Sequence, residues 1–173
     1  HIPLLAMIPD AASGTVCNYP MSNLDIPATI LDIAGCLNPD ELDGKSFLPV
    51  LEGKSMPDDT PDFVVSEFFG HHYSYEARML IYDKYKYVFH PSSCDELYDL
   101  DKDPWEMHNL INSQAHSEQR NACRIRLIDW AKDTGDELCV LCGLFHERIT
   151  TETDYNYKKG TWQGLRGSNT CLI

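Results

Sequence analysis

The sequence is poor in positive charge and has no long apolar run. Its 14 lysines and arginines face 27 aspartates and glutamates, which gives a formal net charge of −13. Nucleic-acid binding needs a basic face that displaces counterions, and docking on anionic lipid needs basic clusters, so both functions are disfavoured. Because no run approaches the ~18 apolar residues of a membrane-spanning helix, we also expect no membrane span.

The sequence also lacks an Asn-x-Ser/Thr sequon, which mildly disfavours a glycosylated secretory protein. Its seven cysteines are an odd number, so at least one thiol is free or paired outside the chain, and their scattered spacing indicates no disulfide framework. The chain begins at His1 without a methionine or a charged-then-apolar leader. Either a leader was removed or the chain is a piece of a longer protein; we expect the piece and leave its compartment open.

What the sequence does contain is enough apolar material for a core, since 43% of its 173 residues are hydrophobic. Four segments joined by short links predict an antiparallel sheet. A helix predicted over Ser117 to Lys132 covers it, beginning at an N-cap in Ser117-Glu118-Gln119-Arg120 and ending at Gly135. The strands are Phe63 to Phe69, Arg78 to Tyr82, Tyr85 to Phe89 and Glu96 to Leu100; the helix buries Ala122, Ile125, Leu127, Ile128 and Ala131 and keeps Arg120, Arg124 and Lys132 in water.

The first sixty residues predict a strand and a helix. Leu4 to Ile8 is a short apolar run typical of a buried strand. Ser22 to Gly35 predicts a helix with Asp25 in its first turn and Gly35 as a left-handed cap. Ser46 is placed to cap a second, shorter turn. The helix presents one apolar stripe made of Leu24, Ile26, Ile30, Ile33 and Ala34.

The stretch from Asp95 to Leu110 predicts a half-buried strand, an acidic turn at Asp103-Pro104 and a short helical turn after the proline. Its pattern, Glu-Leu-Tyr-Asp-Leu, two residues, Asp-Pro, one residue, Glu, two residues, Asn-Leu, resembles the C-terminal signature of type I sulfatases. These enzymes belong to the alkaline-phosphatase-like superfamily. Two further segments resemble the same family, Asp25 to Gly35 and Leu42 to Gly53, although Pro27 stands one position early.

The resemblance covers residues 1 to about 133 and implies an α+β fold: a four-stranded antiparallel sheet packed by one helix, preceded by a strand and helix of the α/β catalytic half. We therefore divide the chain into residues 1–60, which end the catalytic domain, 61–135, which form the C-terminal sheet subdomain, and a poorly patterned tail over 136–173.

Type I sulfatases cleave sulfate esters with a formylglycine made in a Cys/Ser-x-Pro-x-Arg motif and with a divalent cation, usually calcium. No cysteine or serine of this sequence stands in that motif. The resemblance therefore places calcium and formylglycine in a missing N-terminal catalytic half, and it carries over no catalytic residue. A sulfated sugar or other small molecule is the substrate that it implies, and a periplasmic, secreted or lysosomal location suits the family.

His71 and His72 are the candidate substrate-binding residues, because they follow Gly70 in a loop between predicted strands. Two exposed loop histidines without a task are the ordinary alternative. Arg78 has the side chain to pair with an anionic substrate, but a salt bridge with Glu76 or Glu67 is more ordinary.

Two sets of residues are weaker candidates for a metal site. Zinc binding would use Cys139, Cys142, His146 and Cys171, but buried thiols or one disulfide fit that apolar run better. Calcium binding would use the crowded carboxylates Glu96, Asp99, Asp101 and Asp103, but their spacing lacks the glycine and distal glutamate of a calcium loop, so a capped acidic turn is preferred.

The sequence thus predicts the non-catalytic C-terminal portion of a sulfatase, which braces the catalytic half and lines the substrate cleft. Two alternatives stay open. One is a phosphonate or phosphodiester hydrolase of the same superfamily, because the signature does not separate sulfate from phosphate. The other is a stand-alone binding domain.

Overall fold

The computed structural model describes residues 2–9, 14, 16–36, 42–58, 60–70, 75–91 and 93–137. The chain divides into two compact units, His1–Val64 and Val65–Ile173. The predicted tail begins at residue 136, and its residues 138–173 lie outside the described part. No helix in the described ranges is both long and apolar enough to cross a bilayer.

The first unit contains helix α1, Asp25–Ile33, and a one-turn helix α2, Leu48–Leu51. Hydrogen bonds join the two. The Asp25 carboxylate accepts from the backbone N–H of Ser22 (2.7 Å) and of Lys45 (2.8 Å). The Thr29 hydroxyl accepts from the backbone N–H of Phe47 (3.0 Å), and Ser46 donates its hydroxyl to Asp32 (2.6 Å). The Ser46 oxygen also accepts from the N–H of Leu48 at the start of α2, as predicted.

Two predictions for the first unit were wrong. Helix α1 buries Ala28 and Thr29, whereas much of its predicted apolar stripe, including Leu24, Ile30 and Ile33, is exposed. The predicted strand over Leu4 to Ile8 has no regular structure, and Leu5 is 98% exposed. A strand needs a hydrogen-bonded neighbour, and within the described residues the only sheet is the one in the second unit, which pairs its own four strands.

Gly44 sits where the Asp43-Gly44 turn meets the start of α1. A Cβ atom at this position would lie 1.9 Å from the carbonyl oxygen of Leu24. Because this oxygen belongs to the backbone, it cannot move aside by a change of rotamer. We expect Gly44→Ala to cost about 1–3 kcal/mol of stability, as overpacking does. Hydrogen exchange at the α1 amides measures this loss as faster exchange.

Lys45→Ala is the matched control for this substitution, because Lys45 is the exposed neighbour of Gly44 and contributes its backbone N–H to Asp25. That backbone donor survives the change, so exchange in α1 should stay within about 0.5 kcal/mol of the parent. Equal exchange in both variants would contradict the close approach at Gly44.

The second unit is built on a four-stranded sheet with the order β1-β2-β3-β4. The antiparallel sheet predicted from the sequence is confirmed. The hairpin between β2 and β3 turns at Asp83-Lys84, where Asp83 adopts a left-handed φ of 53°. The pairs Leu80↔Tyr87 and Tyr87↔Leu97 place these three side chains on one face. The strands are β1, Phe63–Phe68, β2, Ala77–Tyr82, β3, Tyr85–Phe89, and β4, Glu96–Asp99.

Helix α3, Ser117–Thr134, packs on the sheet and ends at Gly135, whose φ of 77° makes it the predicted left-handed cap. A 3-10 turn over Gln114–His116 precedes the helix, so Ser117 is its first residue rather than a side-chain N-cap. The buried side of α3 consists of Cys123, Leu127, Ile128 and Ala131.

The predicted faces of α3 need two corrections. Ile125 and Ala122 are exposed, and Cys123 occupies the buried position instead. Arg124, expected in water, is turned toward the sheet, where it donates to the Asp95 carboxylate (3.1 Å) and to the Tyr87 hydroxyl (3.2 Å). A guanidinium is retained at such a position when a carboxylate compensates its charge.

Cysteines of the described part fall into three environments. Cys94 is disulfide-bonded. Cys17 and Cys36 are exposed free thiols, whereas Cys123 is a buried one. Burial raises the pKa of the Cys123 thiol to about 11, so the group stays protonated at neutral pH.

One amide side chain, that of Asn109, ties the segment after β4 back to the strand. Asn109 accepts from the backbone N–H of Leu97 and of Ile111 (3.0 Å each) and donates to the carbonyl of Asp95 (3.2 Å). The helical turn predicted after Pro104 is absent. Glu106 instead has a left-handed φ of 56°, and its carboxylate pairs with Lys86 (2.5 Å).

Candidate functional site

The β1–β2 and β3–β4 connections lie at the same end of the sheet, because the strands are antiparallel and follow one another in order. His71 and His72, the predicted substrate-binding residues, belong to the β1–β2 connection but lie outside the described residues. Their described flanks are Gly70, with a left-handed φ of 76°, and Tyr75. The site at this sheet end is therefore described from residues outside positions 71–74.

A chain of four polar side chains runs across this end of the sheet. His90 Nε2 lies 3.0 Å from Glu96, and since a carboxylate only accepts, Nε2 carries the hydrogen. In the neutral imidazole, Nδ1 then accepts from the Tyr75 hydroxyl (2.5 Å). The second oxygen of Glu96 accepts from the Tyr98 hydroxyl (2.9 Å). The order of the chain is Tyr75–His90–Glu96–Tyr98.

The two phenols of this chain stay protonated under ordinary conditions. Burial raises the pKa of Tyr75, and the charge of Glu96 adds to the effect. Burial and the hydrogen bond to Glu96 together raise the pKa of Tyr98 to about 12. These tyrosines therefore act as hydrogen-bond donors that fix the chain, and they are unsuited to serve as a general base near neutral pH.

On the opposite face of the same sheet end, Arg78 lies at the bottom of a cleft of about 500 Å³. Its guanidinium pairs with Asp136 (2.6 Å), Glu67 (3.4 Å) and Glu76 (3.8 Å). The ring of Phe69 covers it, with 4.6 Å between the guanidinium carbon and the ring centroid. The cleft is lined by Glu67, Phe69, Glu76, Arg78, Thr134, Gly135, Asp136 and Glu137.

The carboxylates of this cleft outnumber its cation, so the cleft repels a sulfate group. The salt bridges of Arg78 with Glu67 and Glu76 confirm the ordinary interpretation of that residue. Asp136, the partner nearest to Arg78, was not predicted from the sequence, because it stands 58 positions away and just beyond the end of α3. The partners also raise the pKa of Arg78 against the effect of its burial.

The acidic turn after β4 is a capped turn. Asp103 accepts from the backbone N–H of Met107 (3.0 Å) and of His108 (2.8 Å). The Asp99 carboxylate is buried, and Lys84 and Lys102 each lie 3.7 Å from it. Glu96 belongs to the chain described above. Glu96, Asp99 and Asp103 therefore serve separate partners.

The cap on Asp103 predicts a pH dependence. The N–H of Met107 first, and that of His108 next, lower the pKa of Asp103 below its ordinary value of 3.8. Because the native pKa lies below the unfolded one, the cap stabilises the fold above the unfolded pKa and is lost as pH falls through the native pKa. NMR titration of the Asp103 carboxyl carbon should give a midpoint below 3.8.

Asp103→Asn serves as the control for this titration. The variant keeps one amide oxygen as an acceptor but has no charge to lose, so its stability should fall less than that of the parent as pH drops through the window in which Asp103 titrates. A carboxyl midpoint at or above 3.8 in the parent would contradict the capping geometry.

Neither formylglycine nor a metal fits the described residues. No set of three or more His, Cys, Asp or Glu side chains in the described ranges is grouped to hold a metal ion. The zinc candidates Cys139, Cys142, His146 and Cys171 lie outside these ranges. The nucleophile motif is also absent from the sequence.

The Tyr75–His90–Glu96–Tyr98 chain was missed by sequence reasoning, although part of it was open to inference. Glu96 and Tyr98 are two positions apart in a strand and so share one face. The register Val88↔Glu96 then brings the residues that follow β3 alongside Glu96. That register depends on the length of the loop, which periodicity alone does not give.

Comparison with known proteins agrees with this architecture. Residues 1–133 match the family model of N-sulphoglucosamine sulphohydrolase, C-terminal. Arylsulfatase K of Xenopus laevis is 30% identical over 142 residues, which cover 76% of this chain and 26% of that protein. The solved structure of a 2-O GAG sulfatase is 31% identical with a TM-score of 0.59, covering 66% of this chain and 25% of that one.

A third similarity concerns the fold alone. The phosphonate monoester hydrolase of Silicibacter pomeroyi is 23% identical with a TM-score of 0.61, covering 73% of this chain and 28% of that protein. The chain thus spans about a quarter of the length of these three proteins. On the match over residues 1–133, the chain belongs to the C-terminal domain family of the N-sulphoglucosamine sulphohydrolase type and is a type I sulfatase C-terminal portion.

Proposed function

We propose that this chain acts as the C-terminal part of an enzyme that hydrolyses sulfate esters, where it braces the catalytic half and lines the substrate cleft. The observation that carries the proposal is the family match over residues 1–133. The similarity to arylsulfatase K and to a 2-O GAG sulfatase supports it. We take the substrate to be a sulfated sugar, because the structural relative is named as a GAG sulfatase.

The catalytic half is the partner of the first unit. Support comes from the exposed apolar side chains of Ile2, Leu5, Met7 and Val16, of which Leu5 and Met7 are more than nine-tenths exposed. Contiguous apolar residues on a surface mark a contact with other protein. Calcium and formylglycine belong to that catalytic half, and this chain contributes no ligand or nucleophile to them.

Within this function, His71 and His72 contact the substrate. Support comes from their place in the β1–β2 connection, a few positions before Tyr75 in the sequence, since a hydrogen bond to His90 holds Tyr75 in position. Replacing both histidines by alanine should raise KM for a sulfated sugar and leave the fold intact. His108→Ala is the control, because that histidine is exposed on the acidic turn and its main contact is with Asp103.

One experiment tests the proposed function as a whole. The native protein is isolated from its source with an antibody raised to this chain, its mass is measured, and it is assayed against sulfate esters and a phosphonate monoester. A mass well above 19.7 kDa with sulfate ester hydrolysis is the expected result. Preference for the phosphonate monoester would replace the proposal with the alternative hydrolase. A mass of 19.7 kDa without turnover would overturn it in favour of a stand-alone binding domain.

A further inference from the structure

Three rings stand together at the end of the sheet and are called the aromatic platform here: Phe68, Tyr75 and His90. The ring centroids of Phe68 and Tyr75 are 6.1 Å apart with 58° between the ring planes, and those of Tyr75 and His90 are 5.6 Å apart with 34° between the planes. Phe68 is 48% and Tyr75 37% exposed, whereas His90, in contact with Tyr75, is buried. Two aromatic rings are thus held open to a ligand.

The platform is not part of the core of the second unit. The core side chains Leu80, Tyr87 and Leu97 share the face of the sheet on which α3 packs. Strand alternation puts Val88 and Glu96 on the opposite face, and His90 follows Val88 with the same parity. The exposed area of Phe68 and Tyr75 is therefore left without a packing role within the described residues.

Hydrogen bonds fix two rings of the platform, Tyr75 and His90, before any ligand arrives. Tyr75 donates to His90, His90 donates to Glu96, and the backbone N–H of His90 donates to the buried Asp95 (3.2 Å). A side chain already held in one rotamer loses little entropy when it binds, so a rigid aromatic ring makes an efficient contact.

The polar groups around the rings select the ligand. Glu96 lies behind His90 and is negative, so a sulfate or a uronate is disfavoured at this position. The Tyr75 hydroxyl donates to His90 and keeps lone pairs that accept from a ligand hydroxyl. An uncharged sugar ring, with an apolar C–H face and a rim of hydroxyls, satisfies these conditions.

We propose that the aromatic platform binds an uncharged pyranose ring by stacking it on Tyr75, with the tilted ring of Phe68 contacting its edge. This inference rests on the proposed function in one respect, namely that the sugar is a unit of the sulfated oligosaccharide, away from its sulfate. The platform then sets specificity for a neighbouring sugar and takes no part in the cleavage.

NMR titration of the 173-residue chain with the uncharged trisaccharide cellotriose tests the proposal. The ring protons of Phe68 and Tyr75 should shift, and the C–H signals of the sugar should move upfield under the ring currents. Inorganic sulfate should leave the same ring signals in place. Absence of ring shifts with cellotriose, or equal shifts with sulfate, would overturn the proposal.

Two substitutions sharpen the test. Phe68→Ala should weaken cellotriose binding about tenfold, the loss of one aromatic contact. Trp105→Ala should leave it unchanged, because Trp105 is 83% exposed but belongs to the acidic turn. The opposite ranking would place the sugar elsewhere and reject the platform. Phe68 is exposed, so the variant keeps its fold, and the dispersion of its amide spectrum verifies this.

The titration measures binding without turnover, so its failure and that of the proposed function are distinct. Cellotriose binding at Phe68 with no sulfate ester hydrolysis by the native protein would keep the platform and reject the enzyme. In a native protein that does hydrolyse, Phe68→Ala should raise KM for a sulfated oligosaccharide and leave KM for 4-nitrophenyl sulfate unchanged. An equal rise for both substrates would reject the platform as a specificity site.

Discussion

Asp95→Ala is expected to destabilise the protein by about 3–5 kcal/mol, the cost of removing one partner from a buried ion pair. Asp95 is buried and accepts from the Tyr87 hydroxyl (2.6 Å), from Arg124 (3.1 Å) and from the N–H of His90 (3.2 Å). Without the carboxylate, Arg124 keeps its charge on the sheet side of α3. Denaturant unfolding followed by circular dichroism measures the loss.

Asp129→Ala is the matched control for Asp95→Ala. Asp129 lies on the same helix as Arg124, but its pair with Lys132 is exposed on both sides, at 62% and 50%. Such surface pairs contribute about 0–1 kcal/mol. A loss below about 1 kcal/mol in Asp95→Ala would contradict the role given to the buried pair.

Arg78→Met is expected to cost about 3 kcal/mol, near the lower end of the range for a broken buried pair. The Arg78 side chain is only 3% exposed and compensates Asp136, which is nearly as buried, while Glu67 and Glu76 are partly in water and count for less. Methionine keeps the volume and the contact with Phe69 but leaves three carboxylates around an apolar side chain. Denaturant unfolding gives the total loss.

Hydrogen exchange locates the effect of Arg78→Met. The backbone N–H groups of Gly135 and Asp136 both donate to the carbonyl of Ala131, and Asp136 is anchored to the sheet through Arg78. The last turn of α3 should therefore exchange faster than the global loss accounts for. Lys132→Met, which removes only an exposed charge, should do neither. Uniform exchange along α3 would contradict the anchoring.

The sheet was predictable because its determinants are local. Each strand is a short segment of apolar or alternating residues. Asp83-Lys84 is a two-residue link, which is the typical length of a hairpin turn between antiparallel strands. Gly35 and Gly135 were also assigned correctly as helix ends, since both have positive φ. The observed strands agree with the predicted ones to within one residue at each end.

The side chains that shape the sheet end were less predictable, because their partners are distant in sequence. Arg124 was assigned to water on the periodicity of α3, and its carboxylate partner lies 29 positions away. The pairing of Arg78 with Asp136 spans 58 positions. A helical pattern shows which residues are apolar, whereas the burial of a charged residue depends on a contact that only the tertiary fold creates.

The sulfatase signature itself has a structural explanation. Glu96 bonds His90 and Tyr98, Asp103 caps a turn, and Asn109 ties the return segment to β4. These polar residues are engaged within their own unit, so the pattern identifies the family through its folding requirements. For the same reason it does not distinguish a sulfate ester from a phosphonate ester.

The buried thiol of Cys123 allows the rate at which the second unit opens to be measured by chemical modification. A thiol-specific reagent needs an accessible thiolate, and Cys123 offers neither while α3 lies on the sheet. Cys17 and Cys36 are exposed and should be alkylated at once. Mass spectrometry of the slow modification at Cys123 then reads the rate at which α3 lifts from the sheet, without any engineered label.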